Sequence, residues 1–435
     1  MGMTAKILLV NPPIYDFAAY DFWLKPYGLL SVAGFLRDRA DFKLFDYLDR
    51  SHPFVTAQSE LKSDKWGRGR FYHEKVASPL CLCAIPRYFR RFALPRKMFE
   101  DFLKCEGPFD FALVQTVMTY WYQGVQEVIE DIHRVAPKTK IILGGNYVTL
   151  CGNHAQKLGA DFLVTGSNLG PLWEYLGLAA DPEQPALWEV YDKLGVGVLK
   201  LSDGCPFKCT YCSVPKVYSK FKPRLLERSL AELELLVRCG AENIAFYDDA
   251  LLYKNSEILV PFLKEVLKRN TKVNFHSPNA LNARFITREL AELMVRTGFK
   301  SFYLGFESAS LEWQKKTGSK VFSEELAEAV KHLTAAGAEP SSITAYQILG
   351  HPHGNIQQLE ESMRFVNGLS IRGMLADFSP IPGTPDGEYC RKWVDMDEPL
   401  FHNKTAFPII LLGFDETNRL KDLQRQLNRS LSKVN

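Results

Sequence analysis

The chain of 435 residues carries a formal net charge of +3 and 46% hydrophobic residues, enough apolar content for two or three domains. So small a charge excludes a general nucleic-acid coat or a polybasic membrane binder, and an odd set of nine cysteines excludes a disulfide framework and reads as reduced thiols or metal ligands. No apolar run approaches membrane-span length and the opening MGMTAKILLVNPP lacks the order of a signal peptide, so a cytoplasmic protein with no membrane partner is expected.

In chain order, KILLVNPP, FKLFDY, FDFALVQT, KIILGG and DFLVTGS are short apolar runs that predict five strands, with helices such as YGLLSVAGFLRDR and GVQEVIEDIHRVAP between them. The alternation predicts a doubly wound, Rossmann-like α/β domain over residues 1–180. Sheets of that kind bind ligands at the carboxyl ends of their strands, so NPP, TVMTYWYQG, GGNYVT and TGSNLG should line one crevice. Gly144, Gly145 and Gly166 there either let a ligand approach the backbone or simply make tight turns. Residues 50–107 are too long for an ordinary crossover and contain KWGRGRFYHEK and IPRYFRRFALPRK. Their alternating arginines and aromatics suit either a phosphate or nucleotide grip or a cap whose arginines pack on its own rings, and the small net charge favours the cap. Cys81 and Cys83 receive no assignment.

From about residue 194 a second series begins. VGVLKLS, NIAFYDD, KVNFHS, KSFYLGFES, SITAYQILG and GMLADFSPIPG read as strands. The intervening helices SLAELELLVRCG, TRELAELMVRTG and SEELAEAVKHLTAAG each close on a glycine, at Gly240, Gly298 and Gly337. Parallel βα units in this number predict a partial (β/α)6 barrel over residues 190–390. The loop after its first strand, DGCPFKCTYCSVP, sets Cys205, Cys209 and Cys212 in CxxxCxxC spacing. Structural zinc needs four ligands, and a fourth would have to come from afar, from Cys239 or His276. Three thiolates at three corners of a four-iron cluster would instead leave one iron open for chemistry. Reacting groups of such barrels sit at strand ends, where Asp248 and Asp249 follow the second strand and Glu307 and Ser308 the fourth. Local capping of backbone amides is the competing role for all four.

The cysteine loop, with Tyr211 before the last cysteine, resembles the radical S-adenosylmethionine (SAM) superfamily. The resemblance implies a [4Fe-4S] cluster on Cys205, Cys209 and Cys212, SAM chelating the open iron, and reductive cleavage of SAM to a 5′-deoxyadenosyl radical. It implies that Tyr211 contacts adenine, that Glu307 and Ser308 contact the ribose or amino-acid part of SAM, and that the loop holding Asp248 and Asp249 meets its amino group, although the usual GGEP-like stretch is absent. ILGHPHG resembles a further adenine-contacting segment; its His351 and His353 read as exposed loop histidines rather than metal ligands. An α/β domain carrying LLVNPP, YGLLSVAGFLR and GGNYVT, followed by a barrel with SPIPGTP, resembles the cobalamin-binding subgroup. That implies cobalamin held by Asn11, Pro12, Met118, Thr119, Tyr120, Gly144, Gly145 and Gly166, with the MTYWY loop facing cobalt in place of the missing DxHxxG histidine.

Residues 391–435 form a C-terminal extension ending in the amphipathic stretch DETNRLKDLQRQLNRSLSKV. If it closes the barrel mouth, His402 would touch substrate; a surface loop histidine is the alternative. The subgroup resemblance implies methylation of an unactivated carbon or a phosphinate phosphorus on a small-molecule or peptide substrate, with an electron donor such as flavodoxin or ferredoxin. Rearrangement, dehydration or cyclisation without methyl transfer, and a noncatalytic metal-binding regulator, are the rival expectations.

Overall fold

Alternate residues of Ala5–Asn11 (β1) point opposite ways, and both sets are apolar: Ile7 and Leu9 enter one core, Leu8 and Val10 another. A strand buried on both faces belongs in a parallel sheet covered by helices on each side. The computed structural model, which describes residues 4–431, contains that sheet. Among the described residues β1 joins Ala40–Asp46 (β2), Phe111–Thr116 (β3), Lys140–Gly145 (β4) and Phe162–Val164 (β5) in the order β2-β1-β3-β4-β5, every pairing parallel. Helix Tyr27–Phe35 (α1) covers one face through Leu29 and Ala33. Helices Arg96–Glu106 (α2) and Tyr122–Val135 (α3) cover the other through Phe99, Leu103, Val128 and Ile132. The strand order reverses between β1 and β3, the switch point at whose carboxyl end doubly wound sheets open a crevice.

The long insertion is a cap. Its strand Arg90–Phe92 lies between Ile14–Asp16 and the insertion's His73–Lys75 in a small antiparallel sheet. Its arginines are turned to internal partners: Arg50 donates to the carbonyls of Leu61, Gly67 and Arg70, and the buried Arg91 forms a two-pronged pair with Glu127 at 2.7 and 2.9 Å. Tyr15 donates a third bond to Glu127 at 2.6 Å. Guanidinium donors so occupied have little left for a phosphate, and the phosphate-grip alternative gives way to the cap.

The second sheet runs in simple sequence order. Among the described residues it comprises Val196–Leu199 (β6), Asn243–Phe246 (β7), Asn274–Asn282 (β8), Phe299–Glu307 (β9), Ile343–Leu349 (β10) and Arg372–Asp377 (β11), with parallel pairing from β7 to β11. Phe246, Phe275 and Phe299 form a cluster with ring centroids 5.2–5.6 Å apart. The helices stop where expected: Gly240, Gly298 and Gly337 take φ of 88°, 96° and 101° in the order Gly240, Gly337, Gly298, the left-handed step that ends a helix without a Cβ clash. The chain forms two compact units, Met1–Gly197 with Ala231–Ala241 and Asp397–Asn403, and Val198–Leu230 with Glu242–Met396 and Lys404–Asn435.

The C-terminal helix Phe414–Leu431 (α4) lies against the barrel's last strands rather than over its mouth; residues 432–435 of the expected helix lie outside the described residues. Leu420 packs on Leu349, Leu359 and Met363. The Asn428 amide donates to Gly373 O and accepts from Gly373 N, both at 2.9 Å, so one side chain closes hydrogen bonds on the outer edge of β11 that a further strand would otherwise make. His402 is also placed differently from the expectation of a substrate contact: it is fully buried, with Nδ1 2.9 Å from Thr119 Oγ1. Among the described residues no helix is long and apolar enough to cross a membrane. Replacing Asn428 by Ala should leave two β11 edge groups unpartnered and lower unfolding stability by about 1–3 kcal/mol, measurable as a reduced urea midpoint at unchanged slope.

Candidate functional site

The cysteine loop leaves β6 through a residue that must be glycine. Gly204 has φ 77°, and a Cβ there would lie 2.7 Å from the carbonyl oxygen of Lys220. Beyond it Cys205, Cys209 and Cys212 are free and partly exposed. A turn bond from Cys212 N to Cys209 O, 3.1 Å, folds the second half of the loop, and Phe207 anchors the first half against Tyr253 and Phe285. Gly318, φ 129°, allows its segment to pass against Cys209, where a Cβ would stand 3.4 Å from Sγ. Burial raises the thiol pKa of Cys205 and Cys209 and pushes Cys212 up to about 11, so binding iron must release their protons. His276, the remote ligand considered for zinc, is buried in bonds to Ser301 and Asn243.

The two carboxylates that end β7 differ in kind. Asp248 is 2% exposed; its oxygens accept from Leu201 N at 3.0 and 3.1 Å and from Ser202 Oγ at 2.6 Å. It clamps the end of β6 to the end of β7. Asp249 instead has a buried Oδ2 with no hydrogen-bond partner among the described residues, 3.9 Å from Lys200 Nζ. Lys200 in turn pairs with Asp203 at 2.8 Å, and Arg224 meets the same carboxylate at 3.0 Å. Burial alone would raise Asp203, but Lys200 and Arg224 together hold it well below the usual carboxylate range.

Glu307, at the end of β9, has φ 65°, a left-handed backbone that is costly for a residue with a Cβ and is concentrated at functional sites. Its carboxylate pairs with Lys320 at 3.2 Å. Gly305 leaves room for that pair, since a Cβ would lie 3.0 Å from Lys320 Nζ. Ser308 Oγ accepts from Ser310 N at 3.1 Å, a local capping bond. Glu307 and Ser308 line a cleft of about 440 Å³ together with Trp313, Gly350, His351 and Asn355. The Tyr211 ring stacks near-parallel to Trp313 at 6.3 Å. His351 is 4% exposed, not the exposed loop histidine expected from the sequence, because Nε2 is held by Asp386 at 3.0 Å and Nδ1 accepts from His353 N at 3.2 Å. Asp386 also accepts from Thr210 Oγ1 at 2.5 Å. Lys320, Trp313, Thr210 and Asp386 were not marked by any motif; only the closeness of Lys320 to Gly318 and of Asp386 to the GTP turn hinted at them.

In the first unit a cleft of about 350 Å³ sits at the switch point, lined by Asn11, Pro12, Gln115, Met118 and Trp121. Met118 is 40% exposed, whereas Tyr120 is 1% exposed and Thr119 is bonded to His402. The expected MTYWY face therefore narrows to Met118 and Trp121, because the packing that seats the loop buries the residues between them. Gly145, φ 120°, would place a Cβ 2.0 Å from Thr116 O, and Gly166 N donates to Thr149 Oγ1 at 2.9 Å.

Burial raises the Asp248 carboxyl to about 6 from 3.8. The folded state therefore holds this proton more tightly than the unfolded chain, and stability must fall as pH rises from about 4 to about 6. The loss is about 3 kcal/mol at 1.36 kcal/mol per unit. Asp248→Asn should abolish this part of the pH dependence, read as the difference between variant and wild-type urea midpoints at pH 4 and pH 7.

Residues 199–366 match the Radical SAM superfamily. The chain is 28% identical over 244 residues to an uncharacterised methyltransferase of Synechocystis, covering 49% of this chain and 44% of that protein. It is 26% identical over 229 residues to the hopanoid C-2 methylase of Rhodopseudomonas palustris, covering 46% and 43%; the chain spans less than half the length of these curated relatives. Its fold is similar to that of the radical SAM methyltransferase TsrM from Kitasatospora setae, solved with tryptophan and a SAM analogue, at TM-score 0.65, 15% identity and coverage of 89% and 76%. It is also similar to the cobalamin-dependent radical SAM enzyme OxsB at TM-score 0.58, 14% identity and coverage of 97% and 61%. The cysteine loop, the strand-end carboxylates and much of the cleft lie within the segment, residues 199–366, that matches the Radical SAM superfamily.

Proposed function

We propose that the chain is a cobalamin-dependent radical SAM methyltransferase acting on an unactivated carbon or a phosphinate phosphorus of a small molecule or peptide. The observation that carries this reading is one set of strand ends bearing three free thiols, a buried unpartnered carboxylate oxygen on Asp249 and a cleft flanked by Glu307 and Ser308. The Radical SAM match over residues 199–366 implies a [4Fe-4S] cluster and SAM as cofactors; when bound, the cluster supplies the electron that cleaves SAM. The donor set fits: Cys205, Cys209 and Cys212 would hold three irons. Asp249 offers its free oxygen to an ammonium, while Asp248 holds the strand end behind it. Lys320 neutralises Glu307 and keeps its strained backbone seated, and Tyr211 with Trp313 walls the cleft with rings on which a purine can stack.

The α/β domain over residues 1–180 is read as the cobalamin-binding part, residues 190–390 as the radical SAM barrel and residues 391–435 as the extension. Cobalamin, when bound, would supply the methyl group. The residues that would meet it are Asn11, Pro12 and the exposed Met118, which line the switch-point cleft, with Gly144 and Gly145 at the end of the neighbouring β4. The physical need for a radical is that an unactivated carbon is a poor nucleophile toward SAM itself.

Anaerobic reconstitution should give about four irons per chain, lost in the Cys205→Ala, Cys209→Ala, Cys212→Ala variant but kept when the other cysteines are replaced. Full iron in the triple variant would remove the cluster assignment. Asp249→Asn and Glu307→Ala should each weaken SAM binding about tenfold, measured by calorimetry, with iron content unchanged. Supplied with cobalamin, the protein should show corrin absorption bands. With methyl-labelled SAM it should yield 5′-deoxyadenosine, S-adenosylhomocysteine and a labelled product; an unlabelled product with 5′-deoxyadenosine alone would promote rearrangement over methyl transfer.

A further inference from the structure

Alternation along the strands assigns the side chains on the inner face of the second sheet. On β11 a Cβ at Gly373 would meet Gln424 of α4, and Leu375 joins the apolar cluster around Leu420, so Arg372, Met374 and Ala376 lie on the opposite, inner face. On β10 Leu349 belongs to that same cluster, which leaves Thr344, Tyr346 and Ile348 facing inward. On β9 Phe306 stacks outward on Phe365 of helix Ile356–Gly368 at 5.5 Å, which leaves Tyr303 and Gly305 inward. In register, Met374 stands beside Tyr346 and Tyr346 beside Gly305.

A closed barrel fills its inner face with packed side chains. Among the described residues this sheet ends at β11, and its inner face is open there. Met374 is 38% exposed and Tyr346 and Ile348 are half-buried, while Ala345, Gln347 and Leu349, turned outward on the same strand as Tyr346, are fully buried. The Tyr346 ring is held in place, near-parallel to Tyr303 at 5.7 Å and with its hydroxyl donating to Pro278 O at 3.2 Å. A fixed ring beside an exposed thioether makes a flat, polarisable wall suited to another aromatic ring. Ile348 continues the wall into the cleft of about 440 Å³ lined by Glu307 and Ser308. At the other end Arg372 is exposed, and its guanidinium has no hydrogen bond or ion pair among the described residues. Arg372 and Ala376 are about 13 Å apart along the strand, room for one bicyclic acid lying lengthwise.

We propose that the open inner face of β10 and β11 is the substrate site and that it takes an aromatic carboxylate. The ring lies on Tyr346 and Met374, Arg372 grips the carboxylate with its fork of N–H donors, and the end to be methylated points past Ile348 into the cleft. The inference rests on the reading of that cleft as the SAM site, and it narrows the small molecules and peptides named above to one class. Binding itself makes and breaks no covalent bond. Arg372 and Tyr346 touch the parts of the substrate that do not react, so they determine specificity and leave the chemistry to the groups at the strand ends.

The test uses the full chain, as isolated and after anaerobic reconstitution, with 2-naphthylacetate as the probe and fluorescence anisotropy as the readout. 2-Naphthylacetamide keeps the ring without the charge; cyclohexylacetate, read by competition, keeps the charge without the aromatic ring. Each should bind about tenfold or more weakly than naphthylacetate. Arg372→Gln should weaken naphthylacetate about tenfold while leaving naphthylacetamide unchanged, Arg372→Lys should recover part of the loss, and Met374→Glu should weaken both probes. Equal affinity for acid and amide, an Arg372→Gln variant that binds the acid as wild type does, or a wild-type chain that does not bind it would each overturn the proposal. Equal weakening of acid and amide by Arg372→Gln would also overturn it, by giving the arginine a structural role. Formation of 5′-deoxyadenosine from SAM is measured on the same preparations. SAM cleavage without naphthylacetate binding removes the aromatic-acid site alone, whereas binding of the expected pattern in a chain that never cleaves SAM supports that site and removes the function proposed above.

Discussion

The grip of Asp386 on Thr210 is the contact on which the reacting end of the barrel depends. Thr210 stands between two of the three cysteines, and Asp386 takes its hydroxyl proton while donating a backbone N–H to its carbonyl. A short loop containing proline, glycine and thiols has little core of its own, and without such a grip its conformational freedom would compete with the geometry a cluster demands. The same carboxylate holds His351. Burial alone would raise Asp386, but the bonds from His351 and Thr210 hold it below the usual carboxylate range, so it remains an anion able to accept both. One charged group thereby fixes the cysteine loop and a wall of the cleft together.

Around that contact, charge is balanced by pairs. Lys320 offsets Glu307, while Lys200 and Arg224 offset Asp203. Each pair is at least partly buried, where an uncompensated charge would be costly. Asp248 follows another course: with two donors, Leu201 N and Ser202 Oγ, and no cation in contact, it carries the burial cost as a raised pKa. Asp249, beside it, has Lys200 at 3.9 Å and still lacks a hydrogen bond on Oδ2. The two neighbours therefore differ in hydrogen bonding although they share a position at a strand end.

The strands and helices of both sheets were legible because their signals are local. Two-faced apolar runs such as ILLV in β1 can only be buried parallel strands, and Gly240, Gly298 and Gly337 end their helices for a backbone reason visible in the residue type alone. The cysteine spacing was local too. What could not be read were partners brought together by folding: Thr210 and Asp386 are 176 residues apart, Thr119 and His402 are 283 apart. His402 in a loop-like sequence and Tyr120 in an aromatic loop both seemed available to ligands, yet each is buried. Residue type and spacing say which chemistry a side chain can perform; burial decides whether a ligand can reach it.

The arginines of the insertion illustrate the opposite outcome from the carboxylates at the strand ends. KWGRGRFYHEK and IPRYFRRFALPRK have the composition of a phosphate grip, but Arg68 is paired with Asp64, Arg90 donates to Phe17 O, and Arg91 and Arg96 are paired with Glu127 and Asp131, so these four arginines agree with the fold around them. At the barrel's strand ends the agreement fails in several places at once: a left-handed Glu307, an unpartnered oxygen on Asp249, and Gly204 and Gly318 required by backbone or side chains pressing on the cysteine loop. Folding alone favours none of these, and a chain that retains them together must be compensated elsewhere, as the Lys320 pair and the Asp248 clamp do here. Concentrated local disagreement, rather than the abundance of charged or aromatic residues, is what separates the binding face of this protein from its cap.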